Sequence, residues 1–156
     1  MSEESATRGS ATVRVEASPE AVFAYLTNLE LLPGLSPENV RCEYLGEATE
    51  LAVGVRFRGY NEAKAMNYEW HADCEVTVLE PNRQFAYEVP PNFEHATTWG
   101  YTIEPDGSGS IVTEHFDAPM LALPDVYPGK IEGRRDNLEQ ACETTMANLK
   151  AALEGS

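Results

Sequence analysis

Residues 97–117 read TTWGYTIEPDGSGSIVTEHFD, and this stretch decides the fold. The segment Asp106-Gly107-Ser108-Gly109 within it is typical of a tight turn between two antiparallel strands. Pairing the strands across this turn sets three pairs opposite each other: Ile103–Val112, Tyr101–Glu114 and Trp99–Phe116. Directly opposed residues share one face of a sheet. The hairpin therefore has a polar face and an aromatic face, and the aromatic face carries a single carboxylate.

The preceding stretch extends this aromatic face over two more strands. A turn at Glu80-Pro81-Asn82-Arg83 predicts the pairs Val78–Phe85, Val76–Tyr87 and Cys74–Val89. The apolar face of the four strands then carries Trp70, Ala72, Cys74, Val76, Val78, Phe85, Tyr87, Trp99, Tyr101, Ile103, Val112 and Phe116. The other face carries Glu69, His71, Asp73, Glu75, Gln84, Glu88, Thr98, Thr102, Thr113 and His115. One helix covers only part of such a face, so the remainder is predicted to line a cavity for an apolar molecule.

The other elements complete an α+β domain. A strand is predicted at 11–16, a helix begins at Ser18-Pro19, and a short second helix ends at Pro33-Gly34. The remaining predicted strands are 40–46, 54–60, 68–79, 84–89, 97–104 and 110–117, and a long helix follows at 134–154. The proline-containing connection 118–132 is predicted to be irregular and to cover the cavity entrance. We expect a disordered leader at 1–9 and one domain at 10–154.

Composition limits the possible partners. The 156 residues carry a formal net charge of −15, which argues against nucleic acid and anionic membrane surfaces. No run is long enough to insert into a membrane, and the acidic start of the chain predicts a cytoplasmic protein. We also expect a monomer or a weak dimer. Three cysteines without CxxC spacing predict reduced structural thiols. No metal site and no cofactor are expected, since His71 and Cys74 point to opposite faces of their strand.

Several segments in this order resemble one known superfamily. They are Ala17-Ser18-Pro19-Glu20-Ala21-Val22-Phe23, Leu32-Pro33-Gly34-Leu35-Ser36-Pro37, residues 53–59 (VGVRFRG), residues 76–85 (VTVLEPNRQF), Trp99-Gly100-Tyr101, residues 109–114 (GSIVTE) and Met146-Ala147-Asn148-Leu149-Lys150. The chain resembles the Bet v 1-like, START-related (SRPBCC) superfamily over residues 11–153, and within it the bacterial polyketide cyclase and lipid-transport branch. The resemblance implies a helix-grip fold, in which a seven-stranded antiparallel sheet wraps a long C-terminal helix around a ligand cavity.

The predicted cavity lining combines the aromatic face with the facing side of the last helix. It comprises Phe57, Trp70, Cys74, Tyr87, Trp99, Tyr101, Glu114, Phe116, Leu138, Cys142 and Thr145. Within it Glu114 needs a partner or a raised pKa, and Arg134 or Arg135 at the start of the last helix could reach it. Glu114, Tyr101 and these arginines are the candidate ligand-anchoring or catalytic residues. The alternatives are a structural ion pair in the cavity wall, or a register shifted by one residue that places Glu114 in solvent.

Three functions remain open on the sequence alone. The leading hypothesis is binding or carrying of a hydrophobic small molecule, such as a polyketide or a lipid. The second is a polyketide aromatase/cyclase that folds a poly-ketone chain and promotes aldol cyclisation and dehydration with positioned acid and base groups. The third, which the superfamily resemblance implies, is sequestration of a reactive natural product such as an enediyne.

Overall fold

The computed structural model describes residues 7–63, 67–92, 94–122 and 131–155. The strands within these ranges are β1 Arg8–Val15, β2 Asn39–Tyr44, β3 Arg56–Ala63, β4 Tyr68–Glu80, β5 Gln84–Val89, β6 Thr97–Asp106 and β7 Gly109–Asp117. The helices are α1 Pro19–Leu26 and α2 Ile131–Glu154, with short 3₁₀ turns at Leu32–Leu35 and Pro119–Ala122. The strands form one seven-stranded antiparallel sheet in the order β1-β7-β6-β5-β4-β3-β2. The predicted α+β architecture, with a curved sheet and a long C-terminal helix, is confirmed.

Helix α1 begins where the sequence predicts it. The Ser18 side chain accepts a hydrogen bond from the Ala21 amide at 3.2 Å, and Pro19 occupies the first turn, where its missing N–H costs nothing. Val22 and Leu26 on its inner side are fully buried. The predicted short second helix is a single 3₁₀ turn over Leu32–Leu35, which ends one residue beyond the predicted Pro33-Gly34.

The β6–β7 hairpin has the predicted register, with Tyr101 opposite Glu114. The β4–β5 hairpin is predicted correctly only in part. Val76 lies opposite Tyr87, but a bulge follows between Val76 and Val78, so Leu79 rather than Val78 lies opposite Phe85. A bulge inserts one unpaired residue and exchanges the faces of the residues beyond it. Leu79 consequently packs against the core, and the predicted Val78–Phe85 pair is wrong.

The first strand begins earlier than predicted. Arg8 pairs with Asp117 at the far end of β7, and its guanidinium Nε lies 2.9 Å from the Asp117 carboxylate. The next position requires glycine, because a Cβ on Gly9 would lie 2.7 Å from the Phe116 ring. The predicted leader 1–9 is therefore too long by at least two residues. Residues 1–6 lie outside the described part of the chain.

The apolar core fills the end of the sheet that α1 covers. Its fully buried members include Val15, Val112 and Leu149, which bring β1, β7 and α2 together. Burying such side chains contributes about 1.5–3 kcal/mol each. A smaller cluster around Phe116 and Leu138 joins β7 to α2 nearer the other end of the sheet. The inner face between these packed regions is left partly uncovered.

Candidate functional site

A cavity of about 1020 Å³ lies between the inner face of the sheet and helix α2. This volume is at the upper end of the range for small-molecule sites, which are mostly apolar with a few polar groups. Ten of the eleven residues in the predicted lining do line it. The exception is Phe116, whose ring packs 5.3 Å from the Trp99 ring and against the backbone of Gly9, so it belongs to the smaller cluster.

The antiparallel register gives the position of each lining residue between the open end of the cavity, here called the rim, and its closed end, here called the floor. Thr97, the first residue of β6, lies at the rim, and Tyr101 lies four residues, roughly 13 Å, further along the strand. Tyr101 and its opposed partner Glu114 are the last cavity-lining residues of β6 and β7. Ile103, the next inward residue of β6, already belongs to the closed core at 3% exposure. Glu114 is therefore part of the cavity floor.

Glu114 is a buried carboxyl group without a charged partner among the described residues. It is 5% exposed, and its Oε1 atom has no hydrogen-bond partner within the described part of the chain. Burial raises the pKa of Glu114 from 4.5 to about 7, and the nearby Tyr101 hydroxyl and Cys142 thiol oppose this rise. Its neighbour on the other side, Ala11 of β1, is apolar. Glu114 thus changes protonation state near neutral pH.

Of the two arginines predicted as alternative partners of Glu114, Arg135 does not reach it. The Arg135 guanidinium forms two hydrogen bonds with Glu139, each 3.0 Å long, and its Nε donates to the Arg8 carbonyl oxygen at 2.9 Å. Glu139 lies one turn further along α2, which is the usual spacing for a helical ion pair. This geometry directs Arg135 to the edge strand β1 and away from the cavity. The side chain of Arg134 lies outside the described residues. Of the connection 118–132, which was predicted to cover the cavity entrance, residues 123–130 also lie outside them.

The other titratable groups near the floor are neutral. Burial raises the pKa of the Tyr101 and Tyr87 hydroxyls well above its ordinary value, and the nearby Glu114 carboxylate raises it further. The Cys74 and Cys142 thiols also have raised pKa values because they are buried, and burial raises the pKa of Cys42 to about 11. Thiols of this kind are poor nucleophiles. All three cysteines are free and line the cavity.

A polar group of rim residues was missed by the sequence analysis. Ser36, Asn39 and Asn61 come from the 3₁₀ turn, β2 and β3. The Asn39 side-chain Nδ2 donates to Asn61 Oδ1 at 3.2 Å and to the Tyr60 carbonyl oxygen at 3.1 Å. Ser36 Oγ accepts from the backbone N–H of Asn39 at 3.1 Å. The only available signal was that two asparagines fall opposite each other once β2 and β3 are paired.

His71 lies on the outer face of the sheet, as predicted: it is exposed, it is paired with Tyr60, and its ring lies 6.1 Å from the Tyr60 ring. As the neighbour of Trp70, it also contributes to the edge of the cavity opening. In the described ranges, no cluster of three or more His, Cys, Asp or Glu side chains could hold a metal ion. No helix in those ranges is long and apolar enough to cross a membrane.

The sheet, the enclosed C-terminal helix and the cavity between them define a helix-grip protein. The family model described as "Polyketide cyclase / dehydrase and lipid transport" matches residues 6–154, and the chain belongs to this family. No functionally curated protein matches the chain.

Solved structures with the same fold include three that illustrate its range. The polyketide_cyc-like protein Cgl2372 from Corynebacterium glutamicum is 25% identical, with a TM-score of 0.66 over 94% of this chain and 91% of that protein. Protein CV1439 from Chromobacterium violaceum is 16% identical, with a TM-score of 0.72 over 96% and 99%. The di-domain ARO/CYC protein StfQ, from the steffimycin biosynthetic pathway, is 15% identical, with a TM-score of 0.72 over 97% of this chain and 52% of StfQ.

Proposed function

We propose that this protein binds a hydrophobic small molecule, polyketide-like or lipid-like, in the cavity between the sheet and α2. The observation that carries the proposal is an aromatic-lined cavity of about 1020 Å³, at whose floor one carboxyl oxygen has no partner among the described residues. Membership of a family described by polyketide cyclisation and lipid transport supports the same ligand class. Large apolar pockets with few polar points are the usual form of small-molecule sites.

The test fills the cavity from the helix side. Ala141 lines the cavity in the middle of α2, whereas Ala151 is exposed on the same helix. Binding of the neutral dye Nile red is measured by its fluorescence for the parent protein, Ala141→Phe and Ala151→Phe. We expect Ala141→Phe to lose binding at least tenfold and Ala151→Phe to bind normally. Equal binding by all three proteins, or no binding by the parent, would refute the proposal.

A second candidate is an aromatase/cyclase, which the protonation behaviour of Glu114 favours. A carboxyl group with a pKa of about 7 is suited to general acid–base catalysis near neutral pH. Glu114 would take a proton from the carbon between two ketones, and the Tyr101 hydroxyl would donate to the attacked carbonyl oxygen. A carbon–carbon bond forms in this aldol step, and the new alkoxide takes up the proton that Glu114 removed. Loss of one water molecule and enolisation of the remaining ring ketones then give the aromatic ring.

Turnover separates the two candidates. A soluble poly-β-ketone thioester is incubated with the parent protein and with Glu114→Gln, and the aromatic product is followed by absorbance. A cyclase gives many product molecules per protein molecule, and its rate falls at least a hundredfold in the variant. A binder or sequestering protein gives stoichiometric complex without excess product.

A further inference from the structure

We infer that the ligand enters polar end first and that its leading group is an uncharged hydroxyl or carbonyl, placed on Glu114 at the cavity floor. A ligand of the same size with a carboxylate at that end is excluded. This inference rests on the proposed function, because it specifies the chemistry of the molecule that the cavity accepts.

The position of the unpartnered group sets the direction of entry. Tyr68 at the rim is 56% exposed and stacks on Trp70, with ring centroids 5.6 Å apart. These two aromatic side chains present an apolar surface at the opening. Glu114 lies at the opposite end of the cavity, directly above the closed core. A polar group reaches it only by passing the aromatic walls first.

One buried oxygen atom at the floor lacks a hydrogen-bond partner among the described residues. Glu114 Oε1 is buried and has no partner among the described residues, and such an atom costs roughly 1–3 kcal/mol. A ligand hydroxyl can donate to Oε1 when Glu114 is ionised, and a ligand carbonyl can accept from it when Glu114 is protonated. A hydroxyl, which both donates and accepts, is therefore satisfied in both protonation states, and a carbonyl is satisfied when Glu114 is protonated.

Ser36 and Asn39 at the rim, by contrast, already have hydrogen-bond partners. The Asn39 amide nitrogen has three acceptors, and Asn39 Oδ1 accepts from the Cys42 thiol at 3.2 Å. Ser36 Oγ accepts from two backbone amides. These rim groups bond to one another and to the backbone, so they do not require a polar group on the ligand. The floor is where a polar group gains most.

Charge excludes an anionic leading group. Among the described lining residues there is no lysine or arginine, and the one carboxyl group at the floor repels a second. The formal net charge of −15 adds to this repulsion at longer range. A carboxylate buried without a cationic partner is strongly disfavoured, because it loses its hydration without compensation.

Three naphthalenes of nearly equal shape test the inference by equilibrium dialysis at pH 8. We expect 2-naphthol to bind about fivefold more tightly than 2-methylnaphthalene, which lacks the hydrogen bond. We expect 2-naphthoate to bind at least a hundredfold more weakly than 2-naphthol. In Glu114→Leu the preference for 2-naphthol over 2-methylnaphthalene should vanish. In Glu114→Gln that preference should remain, and the exclusion of 2-naphthoate should weaken at least tenfold.

The matched control is Glu104→Leu, which removes an exposed carboxylate from the same hairpin and should change none of these ratios. If 2-methylnaphthalene or 2-naphthoate binds the parent as tightly as 2-naphthol, or if Nile red alone binds, the cavity accepts apolar molecules but the inference is overturned. If neither Nile red nor any naphthalene binds, the proposed function and the inference both fail.

Discussion

Replacement of Glu114 by glutamine should stabilise the protein at alkaline pH, although a buried polar residue is being changed. Glutamine keeps the shape of the side chain and removes the ionisable group. The structure provides no cationic partner for the ionised form among the described residues, so its burial is uncompensated. Removing an uncompensated buried charge is favourable, whereas breaking a buried ion pair would be destabilising.

The magnitude follows from the pKa of Glu114, which is about 7 in the folded protein and 4.5 as the reference value for the unfolded chain. A difference of about 2.5 pH units corresponds to about 3 kcal/mol at 1.36 kcal/mol per unit. Because the folded pKa is raised, the folded state binds the proton more tightly. The contribution of this proton to the free energy of unfolding is therefore complete below pH 4.5, falls as the pH rises, and is lost above pH 7.

The assay is urea unfolding of the parent, Glu114→Gln and Glu104→Gln at pH 5 and pH 8. The free energy of unfolding of Glu114→Gln, relative to the parent, should increase by about 2–3 kcal/mol between these pH values. Glu104→Gln removes an exposed carboxylate, and its difference from the parent should stay within about 0.5 kcal/mol. If Glu114→Gln were less stable than the parent at pH 8, Glu114 would have a cationic partner and the floor would be misread.

Three further predictions concern packing, capping and the thiols. Gly109→Ala should lower the free energy of unfolding by about 1–3 kcal/mol, since its Cβ would lie 2.4 Å from the Val15 carbonyl oxygen. Gly34→Ala, in open space, serves as its control; equal effects in urea unfolding would exclude a steric cause. Ser18→Ala should cost about 1 kcal/mol through loss of the α1 cap, and an unchanged urea midpoint would contradict this. Thiol titration of the unreduced protein should find three groups on denaturation, with slow reaction when native because burial raises the pKa of Cys42 to about 11; fewer than three would mean a disulfide.

The sequence predicts the β6–β7 hairpin well because two independent signals agree there. The turn at 106–109 fixes which residues pair, and the alternation of aromatic and polar residues fixes which face is buried. A shift of one residue would have placed His115 inside in place of Glu114. The structure has the predicted register, and Glu114 is buried at 5% exposure.

The features that the sequence does not predict depend on contacts between distant segments. The bulge after Val76 leaves no trace in the alternation, because Val78 and Leu79 are both apolar and either could face inward. The pairing of Arg8 with Asp117 depends on a segment without apolar periodicity. Arg135 pairs with Glu139, one helical turn away. The sequence spacing alone also allowed Arg135 to reach Glu114, so it did not distinguish the two partners.

The residues directly below the floor indicate that the fold does not require a carboxyl group at position 114. Along β7 the next inward position is Val112, fully buried in the closed core, and the fold accepts an apolar residue there without difficulty. An apolar residue at 114 would extend that core by one layer and avoid the cost of an ionised carboxyl group above pH 7. The carboxyl group instead occurs at the boundary between packed core and open cavity, where a ligand can supply the missing hydrogen bond. We expect a bound hydroxyl to restore part of the stability that the folded protein loses at this position.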